Sequence, residues 1–262
     1  GKMMVHTVDS FRSFIDDPFV FGQIAANHAL SDLYAMGAEP QTALSIVTIP
    51  FGVENKVEEL LTQMMQGAIK VLNEANTALV GGHTSEGEDL ALGFSVNGLV
   101  DRDHILRKGG MNAGDQLILT QAIGTGTLFA ADMHHKAKGR WIAAALNSML
   151  QSNREAGQCF FAHGATACTD VTGFGLLGHL VEMIKPSKVD VEIDLNAIPF
   201  LDGAETLVAD GIFSSLQAQN VRLRRAIRDL DSTSNDPRYP LIFDPQTSGG
   251  LLASVPNARA KD

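Results

Sequence analysis

Cysteine is scarce: Cys159 and Cys168 are the only two in 262 residues. They lie too far apart for a CxxC motif and are too few for a disulfide framework. Both are expected as buried thiols in a reducing compartment, which makes the cytoplasm the default location. No apolar run is long enough to span a bilayer, and the first residues show no signal-peptide pattern. Positive charge is also short. Twenty Lys and Arg face thirty Asp and Glu, a formal net charge of −10, which argues against nucleic acid or an anionic membrane as the main partner. There is no Walker A string. Gly124-Thr125-Gly126 opens like a dinucleotide fingerprint, but the third glycine is replaced by Phe129 and no acidic residue follows at the required spacing. Short-period repeats and low-complexity segments are absent too.

What is there is an ordinary globular composition, 45% hydrophobic, over a length that suits two domains. A strand is expected over Met3–Val8, ending at Asp9. A helix follows over Pro18–Met36, closed by Gly37, and then a strand over Thr42–Ile49 that stops at Pro50. Val57, Leu60, Leu61, Met64, Met65, Ala68, Ile69 and Leu72 trace one helical face, with the Met pair as core filling. Ala78–Val80 reads as a short strand running into Gly81-Gly82-His83-Thr84, and Leu92–Val100 as another strand. The polar connector Arg102–Gly110 marks the domain boundary, giving domains 1–103 and 104–262. Beyond it come a strand at Gln116–Thr120, a turn at Gly124–Gly126, a helix around Arg140–Glu155 and a strand at Val189–Leu195. A short helix at Gly203–Asp210 and a mobile polar stretch at Leu230–Arg238 complete an α/β or α+β pattern. Both ends read as cut in mid-sheet, so a fragment is expected.

The most telling string is Cys168-Thr-Asp-Val-Thr-Gly-Phe-Gly-Leu-Leu-Gly-His179. It sets Asp170 at the mouth of a Gly-broken turn that runs into an apolar helix. Such a carboxylate either holds a hard cation beside exposed amides or caps its own helix. Asp9, at its own strand end, is either a second cation ligand from the other domain, sharing one Mg²⁺ site with Asp170, or a solvated terminus. Gly81-Gly82-His83-Thr84 has the composition of a phosphate-cradling nest or of a hairpin turn. Asp244-Pro-Gln-Thr-Ser-Gly-Gly250 is an anion loop or a β-turn. His28, His134 and His135 lack a second ligand at metal spacing and read as surface or core histidines. Arg222, Arg224, Arg225 and Arg228 read as a solvated face.

Taken together, these strings resemble the selenophosphate synthetase (selenide, water dikinase) family, within the aminoimidazole ribonucleotide synthetase-like superfamily. The resemblance rests on Thr7-Val-Asp-Ser-Phe11, Ala29-Leu-Ser-Asp-Leu-Tyr-Ala-Met-Gly37, Gly81–Thr84, Thr169–Gly178 and Asp244–Gly250, which occur in the family's order. It implies a two-domain fold whose N-terminal domain forms a β-barrel across a homodimer. It also implies ATP-dependent conversion of selenide to selenophosphate, with AMP and phosphate as the other products. In that family the residue matching Asp9 binds Mg²⁺ and ATP, and the one matching Asp170 binds Mg²⁺. Gly81, Gly82, His83 and Thr84 would reach ATP across the dimer interface. No catalytic residue is assigned within this chain.

Three departures stand out. The family's Gly-rich N-terminal arm, with its reactive Cys or selenocysteine, its Lys and a further Asp-rich motif, has no counterpart here. Neither Cys159 nor Cys168 matches that thiol, so this stretch alone is expected to be inactive in selenophosphate synthesis. The last elements of the second domain also have no counterpart. Four residues before Asp32, where the family tends to have Asn, this chain has His28, with Asn27 one step earlier. Two other readings are another ATP-dependent enzyme of the superfamily, and a non-catalytic nucleotide-binding or dimerisation module of a longer fused protein.

Overall fold

The computed structural model describes residues 1–261. They divide into two compact units, Gly1–Ile105 with Ser152–Arg154, and Leu106–Gln151 with the chain from Glu155 onward. No described helix is long and apolar enough to cross a membrane.

The first unit is a four-stranded sheet with two helices on one face. Its elements are β1 (Lys2–Arg12), α1 (Pro18–Ala35), β2 (Glu39–Pro50), α2 (Glu54–Glu74), β3 (Ala78–Gly87) and β4 (Ala91–Asp101). The sheet order is β1-β4-β2-β3, with β2 and β3 parallel and the other pairs antiparallel. Pro18 fits the first turn of α1, where its missing N–H costs nothing, and the Asp17 carboxylate accepts the Val20 N–H at 3.0 Å. The chain leaves that helix at Gly37, whose φ of 70° is the left-handed conformation glycine takes without strain. Phe21, Ile24, Leu30 and Leu33 are buried in α1, and Met64, Ala68 and Leu72 in α2; Met64 fills core as its spacing predicts.

Two local expectations are corrected here. First, β1 does not stop at Asp9. Ser10, Phe11 and Arg12 continue the ladder opposite Gly93, Leu92 and Ala91, because Phe11 turns inward against the Phe21 and Phe14 rings. Asp9 therefore sits in mid-strand opposite Phe94. Second, Gly81–Thr84 is not a turn. It lies inside β3, an edge strand paired with Leu44–Val47 of β2. The register slips between Ala43 and Leu44, and at Gly82 the two backbones come so close that a Cβ would lie 2.4 Å from the Ser45 carbonyl oxygen.

The second unit carries β5 (Gln116–Leu119), α3 (Thr125–Met133), α4 (Gly139–Met149), α5 (Arg154–Ala162), β6 (Ala167–Asp170), α6 (Gly175–Ser187), α7 (Ala204–Ala209) and β7 (Leu251–Val255), with shorter helical turns between Gln217 and Phe243. The strands form an antiparallel sheet in the order β5-β7-β6. The single helix expected around Arg140–Glu155 is two, α4 and α5, interrupted at Leu150–Asn153. Val189–Leu195 alternates in burial as its sequence does but joins no ladder. Alternation reports a half-buried face, and pairing needs a neighbouring strand as well. Within the expected mobile stretch, Leu230–Thr233 is a short helix. Cys168 is buried, with its thiol pushed up to about 12 by burial and by the Asp170 charge, whereas Cys159 is exposed, contrary to expectation.

Candidate functional site

In the first unit, Thr7, Asp9 and Phe11 alternate along β1 toward α1, which presents His28 and Asp32 one turn apart. Thr7 Oγ1 donates a short hydrogen bond to Asp32 Oδ2. Asp9 is held at about 7, first by burial, then by the charge of Asp32 and a hydrogen bond to it. His28 Nε2 lies 3.8 Å from Asp9 Oδ1, and its ring packs edge-on against Phe11 at 5.1 Å. Asp32 is the functional residue that sequence reasoning misses. Its signal is the i, i+4 spacing with His28, legible only once the strand facing that helix is known. Two carboxylates this close repel unless a proton or a cation lies between them, which is the chemistry of a hard-cation site. Among the described residues no three His, Cys, Asp or Glu side chains converge as a metal cluster. A cation here would therefore complete its shell with ligand oxygens.

The electrostatics give a direct expectation. In Asp32→Asn the neighbouring charge disappears and burial remains, so Asp9 should titrate below 7 yet still above an ordinary aspartate. Carboxyl-carbon NMR of the labelled protein reads this. An unchanged Asp9 midpoint would mean that Asp32 does not act on it.

Gly81, Gly82, His83 and Thr84 are exposed along β3. A nest needs successive amides turned to one side, whereas an extended strand alternates them. These residues therefore offer an exposed strand rather than a preformed anion cup.

In the second unit, Asp170 ends β6, as its sequence predicts, paired with Leu251 and only 5% exposed. It does not cap α6: the N-cap residue is Phe174, with no side-chain cap bond. The turn that follows is tightly fixed. Val171 N–H donates to Gly250 O (2.9 Å), Gly175 N–H and Gln246 N–H both donate to Thr172 O (3.0 Å each), and Asn220 Nδ2 donates to Gly173 O (2.8 Å). Gly175 has φ +69°, and a Cβ there would lie 2.8 Å from the Phe243 carbonyl carbon, so only glycine passes.

Asp244–Gly250 is neither an anion loop nor a plain β-turn. The Gln246 Oε1 atom accepts from Gly124 N–H, Thr125 N–H and Thr125 Oγ1 at 2.9–3.1 Å. The Asp244 carboxylate accepts from Gly126 N–H at 3.1 Å and Thr127 Oγ1 at 2.8 Å. These side chains cap α3, whose own N-cap is Gly124 and supplies no side chain. The segment thus binds the Asp170 turn on one side and the start of α3 on the other. No sequence rule pairs residues some 120 positions apart, so this role leaves no local signal.

His134 and His135 are exposed just past α3. Arg228 pairs with Asp190 at 2.6 Å, and Arg222, Arg224 and Arg225 are exposed, as a solvated face requires. A cleft of about 910 Å³ in the second unit is rimmed by Asp115, Asp190, Glu192 and Asp194 and floored by residues such as Leu176 and Leu252. Its acidic rim disfavours a polyphosphate, and none of the predicted site residues lines it.

Residues 1–100 match the family model of the AIR synthase related protein N-terminal domain, and residues 112–262 that of its C-terminal domain. The chain is 39% identical over 264 residues to the selenide, water dikinase of Nitratidesulfovibrio vulgaris strain DP4, covering 98% of this chain and 73% of that protein. In fold it is similar to the thiamine-monophosphate kinase of Stenotrophomonas maltophilia K279a, with TM-score 0.72, 20% identity and coverage of 99% and 77% of the two chains. It is also similar to the hydrogenase maturation protein HypE solved with ATP, with TM-score 0.70, 16% identity and coverage of 99% and 70%.

Proposed function

We propose, from the premise that the chain belongs to the selenide, water dikinase family of AIR synthase related proteins, that it serves ATP-dependent synthesis of selenophosphate, with AMP and phosphate as the other products. The identity to the curated relative over nearly the whole chain carries this reading, and the Asp9–Asp32 carboxylate pair supports it.

An acidic protein can hold a triphosphate only if cations neutralise it. Asp9 and Asp32 in the first unit, and Asp170 in the second, are proposed as carboxylates for Mg²⁺. Their donors are all oxygen and few in number, which suits an ion that keeps water and phosphate oxygens in its shell. Bound Mg²⁺ would supply charge neutralisation on the transferring phosphoryl groups. Gly81–Thr84 are proposed as ATP contacts from an exposed strand. The two free cysteines fit a cytoplasmic setting.

The test is ³¹P NMR of the product of the whole gene with ATP, Mg²⁺ and selenide. A selenophosphate resonance with AMP is expected. Cleavage of ATP to ADP with no phosphorus–selenium signal would instead favour another ATP-dependent activity of the superfamily.

A homodimer is part of the proposal. On the sheet face away from the helices, Met4, Val8, Leu44, Ile46 and Val80 are 38–64% exposed, an apolar face that needs a cover. A second copy of the same sheet matches it by symmetry. Val8→Glu is expected to convert a dimer to a monomer in light scattering at micromolar concentration with the far-UV spectrum unchanged. A wild-type monomer at that concentration would remove the dimer from this account.

A further inference from the structure

His179 closes the string that carries Asp170, and nothing above gives it a task. It is 3% exposed, on a helix otherwise buried through Leu176, Leu177, Leu180 and Val181. Its Nε2 lies 3.0 Å from the Thr172 backbone nitrogen and 3.2 Å from Thr172 Oγ1. A backbone N–H can only donate, so Nε2 must present its lone pair and the ring proton must sit on Nδ1. Nδ1 faces Glu182 Oε2 at 3.3 Å, and Lys108 Nζ holds the same oxygen at 2.7 Å. The His179 contact first, and Lys108 after it, draw the Glu182 carboxyl down to about 2. The Phe174 ring lies against the imidazole at 5.5 Å. Lys108, Glu182 and His179 thus form a chain that ends on the amide two residues beyond Asp170.

Val171 N–H, Thr172 O, Gly173 O and Gly175 N–H of this turn are tied by backbone partners or by Asn220. Thr172 N–H is tied by an imidazole whose other nitrogen is buried, makes no hydrogen bond of good geometry and lies 3.3 Å from the Glu182 carboxylate. This is the arrangement by which an outer partner fixes the direction of an inner ligand.

We propose that His179 is a positioning residue for Asp170: it sets the turn so that the carboxylate meets the divalent cation of the bound nucleotide. The proposal rests on the reading of Asp170 as an Mg²⁺ ligand. A residue that only supported the helix would alter stability and leave the metal dependence alone.

The experiment is calorimetric titration of ATP into the protein across a series of Mg²⁺ concentrations, for wild type, His179→Leu, His179→Gln and Asp170→Asn, with thermal unfolding in parallel. His179→Leu is expected to raise the Mg²⁺ concentration at half-effect by about 10- to 100-fold, with ATP affinity at saturating Mg²⁺ within about threefold of wild type. His179→Gln, whose Oε1 can accept the same N–H, should return to within a few-fold of wild type. Should His179→Leu fail to fold, Glu182→Gln takes its place, with a smaller shift in the same direction. An unchanged Mg²⁺ requirement in a folded His179→Leu, alongside a raised one in Asp170→Asn, overturns the positioning role alone. An unchanged requirement in Asp170→Asn overturns the metal reading of Asp170, and this proposal falls with it.

Discussion

In the product of the whole gene, Asp170→Asn is expected to cut Mg²⁺-dependent turnover by about 100- to 1,000-fold, the range seen when one preorganised electrostatic group is removed from a reacting centre. Nucleotide affinity in the presence of Mg²⁺ should fall with it, while the melting temperature stays within about 2 °C of wild type, as for a substitution that breaks no packing. The reason for this separation is positional. Asp170 ends β6 through backbone pairing with Leu251, and the turn after it is fixed by Val171, Thr172, Gly173 and Gly175. Asn has the same shape and leaves all of these in place. It lacks the full negative charge that binds Mg²⁺, and no helix cap is lost because Asp170 caps none. Steady-state assay, calorimetry and differential scanning on the same preparation decide it. Equal Mg²⁺–ATP affinity in the variant would return Asp170 to a structural role.

Asp244→Ala should give the largest loss of stability, about 2–3 kcal/mol, the range for removing a buried hydrogen-bonding group that serves several donors. The corresponding fall in melting temperature is about 10 °C. Asp244 is wholly buried, and its two oxygens serve Gly126 N–H, Thr127 Oγ1 and the Gln246 amide. Alanine removes the carboxylate acceptor of Thr127 Oγ1, leaves Gly126 N–H with Pro245 O alone and Gln246 Nε2 with the Asp244 backbone carbonyl alone, and so loosens the glutamine that caps Gly124 and Thr125. The same residue gives a pH signature. Burial raises its carboxyl from 3.8 to about 7 against the pull of its hydrogen bonds. Between these values the folded protein holds a proton that the unfolded chain has released. The stability contributed by this group is therefore full below about 3.8 and is lost as pH rises through about 7. Wild type should lose unfolding free energy between about pH 4 and 7, and Asp244→Asn, which cannot ionise, should lose less. Asp9 shifts in the same direction, so the difference between the two proteins isolates Asp244. Parallel pH profiles for the two would show that Asp244 stays ionised in the fold.

Much of the architecture was legible because it is written in short periods. The 3.6-residue spacing from Val57 to Leu72 placed α2, Pro18 and Gly37 bracketed α1, and strand alternation located β2 and β4. These signals are local: each comes from one element burying one face. Where the pattern was local but the partner was not, the reading slipped. The sequence places Asp9 at a strand end, whereas Phe11, drawn in by Phe14 and Phe21, carries the strand on past it. Gly81-Gly82 has the composition of a phosphate nest or a hairpin turn, whereas at Gly82 the missing side chain admits the backbone of β2. Val189–Leu195 alternates like a strand without a neighbour to pair with.

The two-part α/β plan is legible from length and periodicity, and the ordered motifs carry the family resemblance with Asp9 and Asp170 as its carboxylates. How those carboxylates are held is a matter of packing. Packing brings Asp32 against Asp9 across a strand–helix contact, sets His179 and the Asp244–Gly250 segment around the turn that bears Asp170, and makes that segment, an anion loop or a β-turn on its sequence, the cap of α3. The Asp32 and Asp244–Gly250 contacts join residues far apart in sequence, whereas His179 reaches Thr172 within one turn-and-helix segment. Such contacts act over a few ångströms, and which groups come within that range is fixed by packing rather than by spacing along the chain.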